Sequence, residues 1–364
     1  MSRDPEIKRI EVSAYKIPTD FPESDGTLEW MDTTIVVVEA YAGSKCGIGY
    51  TFADTATGQL IKDKLVPLLV GADAMALPAS WLGMVRSIRN LGRPGIASMA
   101  ISAVDVALWD LKARLLDVSL LGLLGKIRDH VPVYGSGGFT SYSLEQLQNQ
   151  LSGWAAAGMR WVKMKIGRDP AADLERVGAA RSAIGPGVEL FVDANGAYDR
   201  KQALLQAERF AAHRVSWFEE PVSSDDLEGL RLIRDRAPAG MNIAAGEYGY
   251  DLVYFRRMLE AGAVDVLQAD ATRCGGISGF MMVAALCQAR SMLLSAHTAP
   301  SLHAHVCCVL APVCHVEYFH DHTRIEQMFF DGALTAQDGA LAPDPSRLGL
   351  GIEFKRADAQ RYAL

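Results

Sequence analysis

The chain has 364 residues, 49% hydrophobic and 22% charged, with a formal net charge of −7. That length accommodates two domains, or one barrel of roughly 250 residues with a second unit, and the composition is ordinary for a soluble globular protein. The negative balance argues against nucleic acid as a partner, no run is suited to spanning a membrane, and the start MSRDPEIKRI has no secretion leader, so a cytoplasmic location is expected.

The first third reads as an α+β unit. Residues 7–17 alternate in part and TTIVVVEAY at 33–41 is rich in β-branched residues, which predicts strands on either side of a polar connector at 19–31. That connector carries Asp20, Glu23, Asp25 and Glu29 and reads as a solvated acidic loop. Helical patterning begins near Gln59, and Val104, Leu108, Leu111 and Leu115 mark the buried stripe of a long helix within 96–117. Met99, Trp109 and Leu116 are assigned to packing, and residues 120–131 to a linker. Cys46, Cys274, Cys287, Cys307, Cys308 and Cys314 show no C-x-x-C spacing and four lie in apolar surroundings, so buried free thiols are expected.

From Val131 onward short apolar runs recur with helical segments such as 144–157 and 171–184 between them: VPVYGSG, WVKMKIG, VELFVDAN, WFEEP, NIAAGE, VLQAD, MLLSAH and HVEYF. Strands alternating with helices in this way predict a parallel α/β barrel. A doubly wound sheet is the runner-up, but no Gly-rich phosphate fingerprint follows an early strand; Cys46-Gly-Ile-Gly is too short and lies in the wrong unit. The tail from Asp338 through GLGIEF ends strand-like and is expected to turn back to the first unit.

In a parallel barrel the chemistry lies at the carboxyl ends of the strands. Asp193, Glu219, Glu247, Asp270, His297 and Glu317 occupy those positions on successive runs. A single acid there is commonly a helix cap; a succession is different. Asp193, Glu219 and Glu247 would repel one another without a cation, and a set of oxygen donors with no His or Cys suits Mg²⁺ better than zinc. Asp270 and His297 have the logic of a carboxylate orienting a base. Ser295 lacks a G-x-S-x-G elbow. His303, His305, His315, His320 and His322 are given structural or rim roles. Period-two geometry puts Lys163 and Lys165 on one face of their strand, with Met164 turned into packing. Across a cavity from His297, with the cation between, they suit removal of the proton α to a carboxylate, giving an enediolate that the metal stabilises. Glu317 is expected to be neutral, as a hydrogen-bond donor.

The ordered set VKMKIG, FVDAN, WFEEP, AAGE, QAD, SAH and HVEYF resembles the enolase superfamily, and within it the mandelate racemase group; the helix ISAVDVALWDLKARLL and the closing GLGIEF look like that family's capping domain. The resemblance implies a modified TIM barrel, (β/α)₇β, with an α+β capping domain built from residues 1–127 and the returning tail 338–364, around a barrel at 128–337. It implies Asp193, Glu219 and Glu247 as ligands of Mg²⁺, with Mn²⁺ able to substitute. Lys165 would be the base on one face of the substrate and His297 with Asp270 the base on the other; Lys163 and Glu317 would contact the carboxylate and Asn195 the 2-hydroxyl. The implied reaction is dehydration of an aldonate-type sugar acid to a 2-keto-3-deoxy acid. Racemisation, epimerisation or lactone cycloisomerisation of a 2-hydroxy acid are alternatives, as is a non-catalytic ligand-binding relative. The expected partner is a small-molecule carboxylate, and a homo-oligomer is expected. If the acidic segment 19–31 caps the cavity it favours a mono-acid, unless Arg89, Arg93 or Arg273 lines the distal pocket.

Overall fold

The computed structural model describes residues 5–364. Strands β1 (Ile7–Ser24), β2 (Glu29–Ala42) and β3 (Lys45–Phe52) form an antiparallel sheet in that order. The Ile-Val-Val-Val run of β2 is buried on both faces, one against the helix Ile96–Leu115 and the other against the barrel. The helix stripe Val104, Leu108 and Leu111 packs as expected, whereas Leu116, assigned to packing, is exposed just beyond the helix end.

Residues 19–31 are not the solvated connector expected from composition. β1 continues to Ser24 and β2 begins at Glu29, leaving only a tight turn whose backbone N–H groups at Thr27 and Leu28 donate to Asp25 Oδ1 at 2.6 and 2.7 Å. Glu23 is buried beneath Trp30, whose Nε1 donates to its carboxylate at 2.9 Å. The acids stand inside and beside an ordered hairpin that lies over the barrel mouth, where Ser24 and Thr140 hydroxyls meet at 2.6 Å and Arg168 reaches Glu29 at 2.7 Å.

All eight runs from Val131 onward form strands: β4 (Val131–Gly137), β5 (Trp161–Lys165), β6 (Glu189–Asp193), β7 (Val215–Glu219), β8 (Asn242–Ala245), β9 (Val266–Ala269), β10 (Leu293–Ala296) and β11 (Val313–Phe319). Each pairs in parallel with the next, and β11 pairs with β4, which closes the barrel and excludes the open doubly wound sheet. The segment 120–131 read as a linker contains a short helix, Leu120–Leu124. Strand β12 (Phe330–Asp331), just before the tail, pairs with β14 (Glu353–Phe354) of the tail, while β13 (Ala340–Leu341) lies antiparallel to the start of β4. Arg114 of the cap helix bridges Asp110 at 2.8 Å and Glu353 at 2.6 Å, and the Leu364 N–H donates to Ala14 O at 3.1 Å. All six cysteines are free, four of them buried. Among the described residues no helix is long and apolar enough to cross a membrane.

The pair Gly47 and Gly49, too short for a phosphate loop, has a packing reason. A Cβ at Gly49 would stand 2.1 Å from Ala103 O, so β3 lies directly on the cap helix backbone. Gly49→Ala should therefore cost about 1–3 kcal/mol by overpacking. Gly153→Ala, in the helix Leu144–Ala156 with nothing within 4 Å of the new Cβ, should leave stability unchanged or raise it. Calorimetry should show a lower melting midpoint for Gly49→Ala alone; equal midpoints would contradict this packing account.

Candidate active site

Strand alternation builds the site. Tyr134, Phe191, Trp217, Ala244 and Val266 point into the barrel and form an aromatic-rich floor. Two residues further along the same inward faces come Ser136, Asp193 and Glu219, and on β5 the inward positions are Lys163 and Lys165. The register sets Lys165 beside Asp193 and Asp193 beside Glu219. Glu247 follows β8 after Gly246, whose φ of +136° and whose missing Cβ, which would lie 2.1 Å from Gln268 O, let the chain turn tightly against β9.

Asp193, Glu219 and Glu247 are buried and offer oxygens all within 4.8 Å of one another. Burial first, then Asp193, pushes the Glu219 carboxyl up to about 8. The cluster thus carries more negative charge than its surroundings readily hold, and an all-oxygen donor set fits a hard divalent cation such as Mg²⁺.

Lys163 Nζ lies 2.6 Å from Glu219, 2.8 Å from Glu317 and 3.4 Å from Asp193. Lys165 Nζ donates to Asp193 at 2.5 Å and to Asn195 Oδ1 at 3.1 Å. Burial disfavours both ammonium groups, but the carboxylates, led by Glu219 for Lys163 and Asp193 for Lys165, raise both pKa values. His297 Nδ1 meets Asp270 at 2.8 Å and its Nε2 is 3.2 Å from Glu247. Burial opposes the imidazolium, yet Glu247 and then Asp270 raise its pKa to about 9. Glu317 accepts from Ser136 Oγ at 2.6 Å and from the Thr298 N–H at 3.2 Å. Against the expectation of a neutral donor, Lys163 and then His297 outweigh the effect of burial, which favours the acid, and lower the Glu317 pKa to about 2.

Lys165, Asn195, Glu247, His297 and Glu317 open onto one cavity of about 400 Å³, roofed by Asp25, Leu28, Trp30 and Phe52 of the cap. Lys163, Asp193, Glu219 and Asp270 stand buried behind them. A larger hollow of about 730 Å³ between the cap sheet and the C-terminus brings together no such cluster of carboxylates. Of the three arginines proposed for the distal pocket only Arg273 lines it, 3.6 Å from Glu247 and 3.7 Å from Asp270; Arg89 and Arg93 line a separate surface hollow. Ser295 sits lower in the barrel, its hydroxyl 2.9 Å from His315 Nδ1. His303 and His305 are buried supports and His320 pairs with Asp20 on the rim at 3.3 Å, whereas His322 lines the cavity itself. Sequence reasoning also passed over Glu220. It is buried beside the triad with φ +37° and an unpartnered Oε1, and burial, then Glu247, holds its carboxyl well above the usual range. The doubled acid in WFEEP was the available signal.

Two family models match the chain: "Enolase C-terminal domain-like" over residues 146–359 and "Mandelate racemase / muconate lactonizing enzyme, N-terminal domain" over residues 11–125. The chain is 33% identical over 359 residues to a 3,6-anhydro-alpha-L-galactonate cycloisomerase of Streptomyces coelicolor, covering 96% of this chain and 98% of that protein. A mandelate racemase/muconate lactonizing enzyme-like protein from Rubrobacter xylanophilus superposes with a TM-score of 0.97 at 55% identity, over 99% of this chain and 100% of that one. The L-talarate/galactarate dehydratase from Salmonella typhimurium LT2, liganded with Mg and L-lyxarohydroxamate, superposes with a TM-score of 0.90 at 27% identity, over 100% of this chain and 94% of that one.

Titration calorimetry with Mg²⁺ separates the neighbouring acids. Glu219→Gln should weaken Mg²⁺ by at least about tenfold through loss of a charged donor. Glu220→Gln alters an acid outside the set of three converging carboxylates and should change the affinity little. Equal losses would contradict the assignment of the donor set.

Proposed function

We propose dehydration of an aldonate-type sugar acid to a 2-keto-3-deoxy acid as the reaction of this chain, which belongs to the mandelate racemase/muconate lactonizing enzyme group of the enolase superfamily. Mg²⁺-dependent enolisation of a carboxylate is the chemistry of that superfamily. The observation that carries the proposal is that Lys165, at the end of β5, and His297, just after β10, open onto one cavity together with Glu247 of the acidic triad.

Asp193, Glu219 and Glu247 would hold the cation. Bound there, Mg²⁺ would draw electron density from the substrate carboxylate and take up the Asp193 charge that otherwise keeps Lys165 protonated. Lys163, fixed between Glu219 and Glu317, stays an ammonium and holds the carboxylate. Lys165 Nζ, free to act as an amine, takes the α proton, and Asn195 keeps it in place through the 3.1 Å contact. On the opposite face Asp270 accepts the Nδ1 proton of His297 and so leaves Nε2 to deliver a proton to the departing 3-hydroxyl. The C2–H and C3–O bonds break, water leaves, and the resulting enol becomes the keto acid.

The same opposed pair supports a second reading, racemisation or epimerisation, if His297 returns its proton to the α carbon instead. Departure of a ring oxygen rather than water would make the reaction a cycloisomerisation, as in the name of the Streptomyces relative. Against a purely ligand-binding role speak the convergence of the three acids and the sharing of one cavity by Lys165 and His297. Charge again favours a mono-acid, though of the four acids of segment 19–31 only Asp25 lines the cavity, joined there by Asp54 and by Asp32, which pairs with Lys16 at 3.1 Å, while Asp20, Glu23 and Glu29 are engaged elsewhere.

An acid-sugar panel with Mg²⁺ should give keto acid from an aldonate in preference to any aldarate. Lys165→Ala and His297→Asn should each lower keto-acid formation by at least about 10². Faster turnover of an aldarate than of every aldonate would contradict the charge argument, and undiminished activity in either variant would contradict the two-base scheme.

A further inference from the structure

The helix His320–Phe329 starts where β11 ends, so its first turn stands at the cavity wall just beyond Glu317. There the His322 ring stacks on Phe52 of the cap, centroids 3.5 Å apart and planes 13° from parallel, and meets Phe319 edge-on at 5.1 Å. The ring is 8% exposed, lines the cavity, and carries an Nδ1 that is buried without a partner. Aromatic rings from both cap and barrel hold it in this position. A buried polar atom left so costs stability, and such atoms in native structures usually answer to a ligand or to water.

We propose that His322 is a specificity-determining residue that reads a neutral hydroxyl or ring-ether oxygen on the substrate carbons remote from the carboxylate. The inference rests on the sugar-acid reading of the cavity and deepens it. Burial, and after it the charge on His297, holds His322 well below the ordinary histidine range, so it meets its ligand as an uncharged imidazole. An uncharged ring pairs with a hydroxyl or ether and gives no ionic compensation to a second carboxylate. The surrounding wall agrees. Asp25, Asp32 and Asp54 line it, and Arg273, the cation on that side, is already engaged by Glu247 and Asp270. Phe52 and Phe319, lining the same cavity, offer apolar faces to the C–H side of a sugar chain.

The test is calorimetric binding to Mg²⁺-loaded protein, using gluconate, galactonate and arabinonate as long probes and glycerate as a short one that ends before the distal wall. His322→Phe preserves the stack and should weaken the best-bound long acid by roughly tenfold while leaving glycerate within about twofold. His322→Gln, which restores a polar atom, should recover part of that loss and serves in its place if the phenylalanine variant does not fold. Unchanged binding of the long acid in both variants would overturn the role of His322 alone. So would equal loss for long and short acids, because it would mark a merely structural residue. Failure of the wild-type protein to bind any of these acids would overturn the sugar-acid reading, and this proposal with it.

Discussion

The structure depends on a set of opposite charges held out of water at one end of a closed barrel. Lys163 shares its proton-bearing nitrogen among Glu219, Glu317 and Asp193, and Lys165 leans on Asp193 and Asn195. Removing either partner from a buried pair typically costs about 3–5 kcal/mol, whereas a well-packed apolar replacement is often neutral or better. An arrangement of this kind is therefore poor evidence for stability and good evidence for use. It is held by strand register and floored by Tyr134, Phe191 and Trp217, with Trp217 Nε1 bonding Glu219 at 2.9 Å, so that the ionic groups cannot relax into another pattern.

The cap completes what the barrel alone leaves open. Its hairpin covers the mouth with Trp30 and Leu28, and its helix is locked to the barrel by Trp109 Nε1 on Ser278 at 2.9 Å and by Asp105 on the same residue. Excluding water strengthens every electrostatic interaction inside, which is what abstraction of a weakly acidic α proton requires. The cap also supplies Phe52, the face on which His322 rests. The candidate catalytic groups thus come from the barrel, and the wall of the cavity from both parts.

Much of this was legible in the sequence because two periodicities carry it. Period two placed Lys163 with Lys165 on one face and Met164 on the other, and Met164 is indeed in the apolar core. The acids at successive strand ends converge because a closed barrel brings every such end to one rim. What composition could not show was set by contacts between distant segments. Glu23 looked solvated because it stood among polar neighbours, yet the hairpin folds it under Trp30. His322 looked like rim because its stacking partner Phe52 lies far away in the chain. Glu317 looked neutral by role, but Lys163 Nζ stands 2.8 Å away and draws its pKa down, a contact no spacing encodes. Leu116 continued an apolar pattern one residue past the end of the helix that would have buried it.

In the proposed reaction the labour is divided, Lys165 taking the α proton and His297 serving the other face. Solvent deuterium exchange at the α carbon, followed by NMR alongside keto-acid formation for one accepted sugar acid and Mg²⁺, measures the two steps separately. His297→Asn should continue to exchange the α proton while forming no keto acid, and Lys165→Ala should do neither. Exchange that survives in Lys165→Ala but vanishes in His297→Asn would contradict it.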